Sequence, residues 1–141
     1  EIGKAILLNE GTDVSIFATG HLVWKAIEAG EQLAELGINA EIINIHTIKP
    51  LDYAAVLASV KKTRCVVTAE EHQLNGGLAD SIAQLLAKEL PTPLEAVAVN
   101  DSFGESGTPD QLMTKYGLDT VNIVAAAKKV IKRKQETAVL K

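Results

Sequence analysis

Short apolar runs alternate along this chain with longer stretches whose apolar residues recur at helical spacing. The runs are AILL (5–8), VSIFA (14–18), AEIINI (40–45), CVVTA (65–69) and LEAVAV (94–99). AILL is short and ends at the turn Asn9-Glu10-Gly11. VSIFA and AEIINI are typical of strands buried on both faces, and CVVTA and LEAVAV are predicted as further strands. Because helical stretches separate them, they predict an α/β fold with a mostly parallel sheet covered by helices on both faces.

The helical stretches have recognisable ends. They are predicted over 21–36, from Pro50 to about Val60, from Gly77 to about Leu90, from Thr108 to Gly117, and from Asp119 to Arg133. Gly37 follows the first at a position that favours a positive φ. Pro50 suits the first position of the second helix, and Asp119 is a capping residue for the last. We therefore predict one domain over 1–134, followed by a frayed tail over 135–141.

Composition excludes several classes of protein. The chain has 141 residues, 47% of them apolar, which predicts a single globular domain. Its one cysteine, Cys65, excludes an internal disulfide and a cysteine metal site, and favours the reducing cytoplasm. No apolar run approaches the ~20 residues of a membrane-spanning helix, and no signal-peptide pattern is present. The chain begins without Met, which we interpret as a piece of a longer chain.

The net charge of −4 hides an uneven distribution. Residues 128–141 hold six basic side chains against one acidic one, whereas residues 1–127 hold 8 basic and 17 acidic ones. A basic tail could attract nucleic acid, but the acidic body would repel it, and only five aromatic residues are available to stack on bases. The alternative is a solvated helix end, where the helix dipole favours cations. No nucleic-acid partner is predicted.

Polar residues follow three of the predicted strands, and all three histidines of the chain are among them. These candidate residues for a strand-end pocket or interface are Thr19, Gly20, His21, His46, Lys49, Glu70, Glu71, His72, Gly76 and Gly77. In an α/β sheet, ligands collect where the parallel strands end. The cluster could transfer protons or bind an anionic group. Alternatively, each histidine caps a helix or bonds to a backbone carbonyl.

Two structural expectations follow from this placement. His21, His46 and His72 should lie along one edge of the sheet, because parallel strands end in the same direction. Gly76 or Gly77 should have a positive φ or a close backbone neighbour, since the pair stands between a strand and a helix. Free backbone N–H groups at the glycine pair could also hold an anion. Dinucleotide-binding, phosphate-loop and metal-binding motifs are absent, so no metal site is assigned.

Three longer segments resemble a known family. They are SIFATGHLVWKAIEAGEQLAELGINAEIINIHTIKPLD, VVTAEEHQLNGGLADSIAQLL and DSFGESGTPDQLMTKYGL. In this order they closely resemble the C-terminal domain of transketolase, above all of transketolases made as two separate subunits. The corresponding domains of 1-deoxyxylulose-5-phosphate synthase and of pyruvate dehydrogenase beta subunits share a looser version of the first two segments.

The resemblance implies a three-layer α/β/α domain with a mixed, mostly parallel five-stranded sheet in which one strand is antiparallel. It implies that thiamine diphosphate and Mg2+ are held by upstream pyrimidine- and pyrophosphate-binding domains, which would be the partners of this chain in a homodimeric enzyme. That enzyme moves a two-carbon ketol unit between sugar phosphates in the pentose phosphate pathway. The resemblance also implies that Glu70, Glu71 and His72 belong to a family motif outside the catalytic machinery, so the chain would contain no catalytic residue. The chain alone would then bind no cofactor and have no activity. The alternatives are the equivalent domain of a 2-oxoacid dehydrogenase beta subunit or of deoxyxylulose phosphate synthase, or a free-standing module that binds a nucleotide or phosphate.

Overall fold

The computed structural model describes residues 3–46, 48–71, 77–98 and 119–140, apart from the side chains of residues 139 and 140. Along these ranges the elements are β1 Ile6–Asn9, β2 Val14–Ala18, α1 Leu22–Glu35, β3 Ala40–Asn44, α2 Tyr53–Thr63, β4 Val66–Ala69, α3 Leu78–Glu89, β5 Leu94–Val97 and α4 Thr120–Leu140. Each of the five apolar runs forms a strand. The helix predicted between Thr108 and Gly117 lies outside the described residues.

The strands form one sheet in the order β1-β3-β2-β4-β5. Neighbours among β2, β3, β4 and β5 pair in parallel, and β1 runs antiparallel to β3 at the edge. This confirms the mixed five-stranded sheet with one antiparallel strand. The registers Ala18↔Asn44 and Ala18↔Ala69 place the ends of β2, β3 and β4 side by side. The residues that follow these strands therefore share one edge, called here the strand-end edge.

Apolar side chains fill a core on each face of the sheet. On one face, residues of β2 such as Ile16 pack with Leu22 of α1 and Ile123 of α4. On the other face, Phe17 of the same strand packs with residues of α2 and α3, such as Val60. Alternate residues of β2 thus point into different cores, which explains why the whole strand is apolar except for Ser15. The arrangement confirms the three-layer α/β/α fold.

The predicted start of α2 at Pro50 is wrong. Pro50 follows a cis peptide bond in the connector, and the helix begins at Tyr53. Asp52 is the capping residue, and its Oδ1 accepts a hydrogen bond from the N–H of Ala55 at 3.2 Å. Its Oδ2 accepts a second one from the N–H of Ala5 at 2.9 Å, which ties the start of the helix to the segment before β1. A capping carboxylate decides the helix start because it satisfies an N–H that the first turn leaves unpaired.

The predicted frayed tail is also corrected. The last helix, α4, continues from Thr120 to Leu140, well past Arg133. Lys134 holds this region against the body, since its Nζ donates to the carbonyls of Thr63 at 3.0 Å and Asp13 at 3.3 Å. Gln135, Glu136 and Ala138 beyond it favour helix without needing burial. The domain boundary at residue 134 itself stays a prediction.

Candidate functional site

The strand-end edge brings several of the predicted site residues together. His21 follows β2 and His46 follows β3, so both histidines lie on this edge, as predicted from parallel strands. Both are exposed. Thr19 joins the edge by donating its N–H to the carbonyl of Ala69 at 3.1 Å. His72 and Gly76 lie outside the described residues, and their predicted roles stay predictions.

Glu70 binds the first turn of α3. Its Oε1 accepts the N–H of Leu78 at 3.0 Å, and its Oε2 accepts the N–H of Ala79 at 2.9 Å. The side chain is buried, with 4% of its surface exposed. Gly77 is the N-cap residue of this helix and has no side chain to accept these bonds. Glu70, which follows β4, therefore takes the place of a capping side chain. Its negative charge lies next to the positive end of the helix dipole, which is a favourable interaction.

Glu71 makes the matching contact with the segment that leads into α1. Its Oε1 accepts the backbone N–H of His21 at 2.8 Å and lies 3.2 Å from Nδ1 of the same residue. Gly20 makes this approach possible. It has a φ of +62°, and a Cβ added to it would lie 2.9 Å from that Glu71 oxygen. Consecutive glutamates at the end of β4 thus bind the entries of two different helices.

Gly77 lacks the positive φ that was one possibility for at least one member of the glycine pair. Its φ is −71° and its ψ is −174°, which is an extended conformation open to any residue. A positive φ is therefore excluded at Gly77. The expectation of a close backbone neighbour stays a prediction, as does the anion-binding role of the pair.

Lys49 lines a different surface from the glutamates. It borders a groove of about 490 Å3 between the connector before α2 and the outer side of α3. Tyr53, Ser81 and Lys88 also line this groove, whereas Glu70, Glu71 and His21 do not. The predicted cluster therefore does not form one site. Glu70 and Glu71 bind helix starts at the strand ends, whereas Lys49 lines a separate groove beside α3.

The sequence reasoning missed a buried polar cluster at the end of the sheet where the parallel strands begin, opposite the strand-end edge. Glu41 is 3% exposed in β3, and its Oε1 binds Nζ of Lys62 at 2.5 Å and the N–H of Gly11 at 3.2 Å. Burial alone would raise the pKa of Glu41, but hydrogen bonds from Lys62, Ser59 and Gly11, with the Lys62 charge, outweigh it and lower the pKa. A glutamate inside an apolar strand was the signal, because a buried carboxylate needs a partner.

Hydroxyl groups extend this cluster into the core below α2. Ser15 Oγ lies 2.6 Å from both Ser59 Oγ and Thr63 Oγ1, and all three residues are buried. Their mutual hydrogen bonds satisfy polar groups that the sheet and the helix bury between them. The cluster is closed to solvent at the hydroxyls, so its role is to join β2, β3 and α2.

Metal and membrane sites receive no support from the described ranges. Within them, no group of three or more His, Cys, Asp or Glu side chains is arranged to hold a metal ion. None of the helices described here is both long and apolar enough to span a bilayer.

Comparison with known proteins gives a consistent set of similarities. The family model for the transketolase C-terminal domain matches residues 3–123. A 6-deoxy-6-sulfo-D-fructose transketolase subunit from Clostridium sp. (strain MSTE9) is 50% identical over 133 residues, which cover 94% of this chain and 41% of that subunit. A 1-deoxy-D-xylulose-5-phosphate synthase from Geobacter sulfurreducens is 41% identical over 127 residues, or 89% of this chain and 20% of that enzyme.

A solved structure described as a split gene transketolase, inactive beta4 tetramer, has the same fold. The TM-score is 0.88 at 43% sequence identity, over 95% of this chain and 44% of that chain. The present chain thus spans about two fifths of the length of the split-type proteins it matches.

Proposed function

Because this chain belongs to the transketolase C-terminal domain family, we propose that it is the non-catalytic association domain of a thiamine diphosphate-dependent transketolase. The parent enzyme transfers a two-carbon ketol unit between sugar phosphates. The family match over residues 3–123 supports the domain assignment, and the split-type relatives support a parent made of separate subunits.

One observation carries the non-catalytic role. Glu70 and Glu71 follow a strand in the position where an α/β enzyme often places acid or base residues. Both carboxylates instead accept backbone N–H groups where α3 and α1 begin. A general base must reach a proton of the substrate. The oxygens of Glu70 bind backbone N–H groups inside the domain, where a substrate has no access.

The donor set of the described residues does not fit a Mg2+–diphosphate site. Mg2+ prefers oxygen ligands in octahedral geometry, usually carboxylates together with water and phosphate oxygens. At the strand-end edge both oxygens of Glu70 are hydrogen-bonded, and Glu71 binds His21. We therefore assign thiamine diphosphate and Mg2+ to the upstream domains of the parent and derive no catalytic step from this chain.

The partners are the upstream pyrimidine- and pyrophosphate-binding domains or subunit, in a homodimeric assembly of the full enzyme. One similar protein is named as a transketolase subunit, and a similar solved structure is described as an inactive beta4 tetramer. The exposed side chains of His21 and His46 and the groove at Lys49 are the surfaces assigned to a contact or a ligand in that assembly. The single cysteine supports placement of the enzyme in the cytoplasm.

A second candidate is the corresponding domain of a 1-deoxy-D-xylulose-5-phosphate synthase. The 41% identity to such an enzyme favours it, although the match covers only 20% of that protein. The two candidates differ in what the parent does with its substrates: a synthase decarboxylates a 2-oxoacid, whereas a transketolase moves a ketol unit between sugars.

Expression of the longer reading frame that contains this sequence tests the proposal. The longer protein, together with any partner subunit, is assayed for ketol transfer with sugar phosphates and for release of CO2 from pyruvate. We expect ketol transfer from the complete enzyme and none from the present chain. Release of CO2 with condensation to an aldehyde phosphate would favour the synthase. Ketol transfer by the chain alone would contradict the non-catalytic role.

A further inference from the structure

The antiparallel edge strand β1 carries three consecutive exposed apolar side chains. Ile6 is 46% exposed, Leu7 is 50% exposed and Leu8 is 40% exposed. Along one side β1 pairs with β3, and in the part of the chain that the structure describes no strand pairs with its other side. An uncovered apolar edge of this kind is a surface on which another chain can dock.

The outer strand on the other side of the sheet, β5, is protected. Arg133 of α4 reaches over β5, where its guanidinium donates to the carbonyl of Leu94 at 2.9 Å and to Oε2 of Glu95 at 2.7 Å. Lys129 of the same helix lies 3.4 Å from Oε1 of Glu95. Helix and charges therefore cover β5, as is usual for an edge strand.

The sequence around β1 is complementary to itself when two copies run antiparallel. It reads Lys4-Ala-Ile-Leu-Leu-Asn-Glu10, with a cation at one end, an anion at the other and three apolar residues between them. A twofold axis at Leu7 places Lys4 of each copy opposite Glu10 of the other and Ile6 opposite Leu8. Shifting the alignment by two residues sets Lys4 against Leu8, or Ile6 against Glu10, and loses both matches.

We propose that β1 is a twofold interface at which a second copy of this chain docks, with the two strands antiparallel and Leu7 at the axis. A twofold contact requires one patch that is complementary to itself, and the charge pattern of β1 meets that requirement. Opposite charges directly across an antiparallel pair stabilise it, and like charges destabilise it.

A bulge in β1 limits how the strands can join. The register with β3 shifts between Leu7 and Asn9, so Leu8 is the additional residue. Bulges bend a strand and hinder edge pairing beyond them. In the twofold arrangement the residues before the bulge of one copy lie opposite those after the bulge of the other, so regular backbone pairing between the copies is interrupted. The contact is therefore carried by the apolar side chains and the two charged ends.

The surface next to β1 enlarges the contact. The N–H of Ala5 binds Asp52, and Tyr53 beside it is 58% exposed. Even so, one short strand and a few neighbouring side chains form a smaller contact than the roughly 800 Å2 per partner of a stable interface. We therefore expect weak, concentration-dependent association.

Sedimentation velocity of the purified chain over about 5 to 500 µM is the first test, since dimerisation depends on protomer concentration. The weight-average mass of the wild type should rise toward twice that of one chain, whereas Leu7→Lys should remain at one chain throughout. Leu36→Lys changes a similarly exposed leucine, 57% accessible, away from β1 and should behave as the wild type. Circular dichroism melting verifies that each variant folds.

A charge exchange tests the antiparallel alignment. Lys4→Glu alone and Glu10→Lys alone each place like charges across the axis and should weaken the dimer at least tenfold. Combining both changes in one chain, or mixing the two single variants, restores opposite charges and should restore association. A wild type that stays monomeric, or a dimer insensitive to Leu7→Lys, overturns the proposal. Failure of both restorations overturns the alignment.

Discussion

Replacing Glu70 by alanine removes both hydrogen bonds that the end of β4 gives to α3. The N–H groups of Leu78 and Ala79 lose acceptors at 3.0 and 2.9 Å in a buried position. Each unpaired buried N–H costs about 1–3 kcal/mol, and loss of a negative charge at a helix N-terminus costs about 0.3–1 kcal/mol more. Removing a carboxylate that was costly to bury offsets part of this. We expect the free energy of unfolding to fall by about 3 kcal/mol.

Urea unfolding of the purified chain measures this loss. Glu70→Ala should lower the urea midpoint without changing the slope, since the variant and the wild type expose the same amount of surface when they unfold. In a thermal melt the decrease corresponds to about 10 °C for a chain of this size. Glu70→Gln keeps one acceptor oxygen, so its effect should be about half as large. Hydrogen exchange should accelerate first at the amides of Leu78 and Ala79.

Glu31→Ala is the matched control, because Glu31 is an exposed glutamate in the middle of α1. It should change the free energy of unfolding by no more than about 0.5 kcal/mol. If Glu70→Ala were as mild as Glu31→Ala, the carboxylate would not hold the N-terminus of α3. The structural role assigned to Glu70 would then be refuted.

Three further predictions concern single residues. Hydrogen bonds from the backbone N–H groups of Ala5 and Ala55 lower the pKa of Asp52. The stability that the Asp52 carboxylate contributes is therefore present above pH ~4 and is lost as the pH falls through the lowered pKa. Asp52→Ala should therefore cost about 1–2 kcal/mol in urea at pH 6 and much less at pH 2, and an equal loss at both would contradict this. Gly20→Ala places a Cβ at positive φ against Glu71 and should lower stability by about 1–2 kcal/mol, whereas an unchanged melt would exclude that packing. Burial raises the pKa of Cys65 to about 11, so a thiol reagent at pH 8 should label the native chain at least ~100-fold more slowly than the chain in urea; similar rates would disprove burial.

Local signals in the sequence predicted most of the fold. Gly37 has a φ of +80° after α1, as predicted from its position at the end of the helical pattern. The apolar runs coincide with the strands, and β2 and β4 are uninterrupted by charged residues because a strand covered on both faces has no polar side. The edge strand β1 is apolar although its side chains are exposed. The start of α2 was misplaced, since Pro50 and Asp52 are both helix-start signals and only the hydrogen bonds of Asp52 in the folded chain distinguish them.

The candidate site was predictable only in position. Parallel strands placed His21, His46 and Glu71 on one edge without any knowledge of their contacts. The contacts themselves join distant parts of the chain: Glu71 binds a residue 50 positions earlier. The sequence alone therefore left both readings of the glutamates open. The structure favours helix capping, since the acceptors of both side chains bind backbone N–H groups.

In the proposed role, this chain is a structural part of a transketolase and does not hold the cofactor. Calorimetric titration of the purified chain with thiamine diphosphate and Mg2+, with the complete enzyme as the positive control, tests this role. We expect saturable heat from the complete enzyme and only the heat of dilution from the chain. Saturable binding by the chain in the low micromolar range would contradict it.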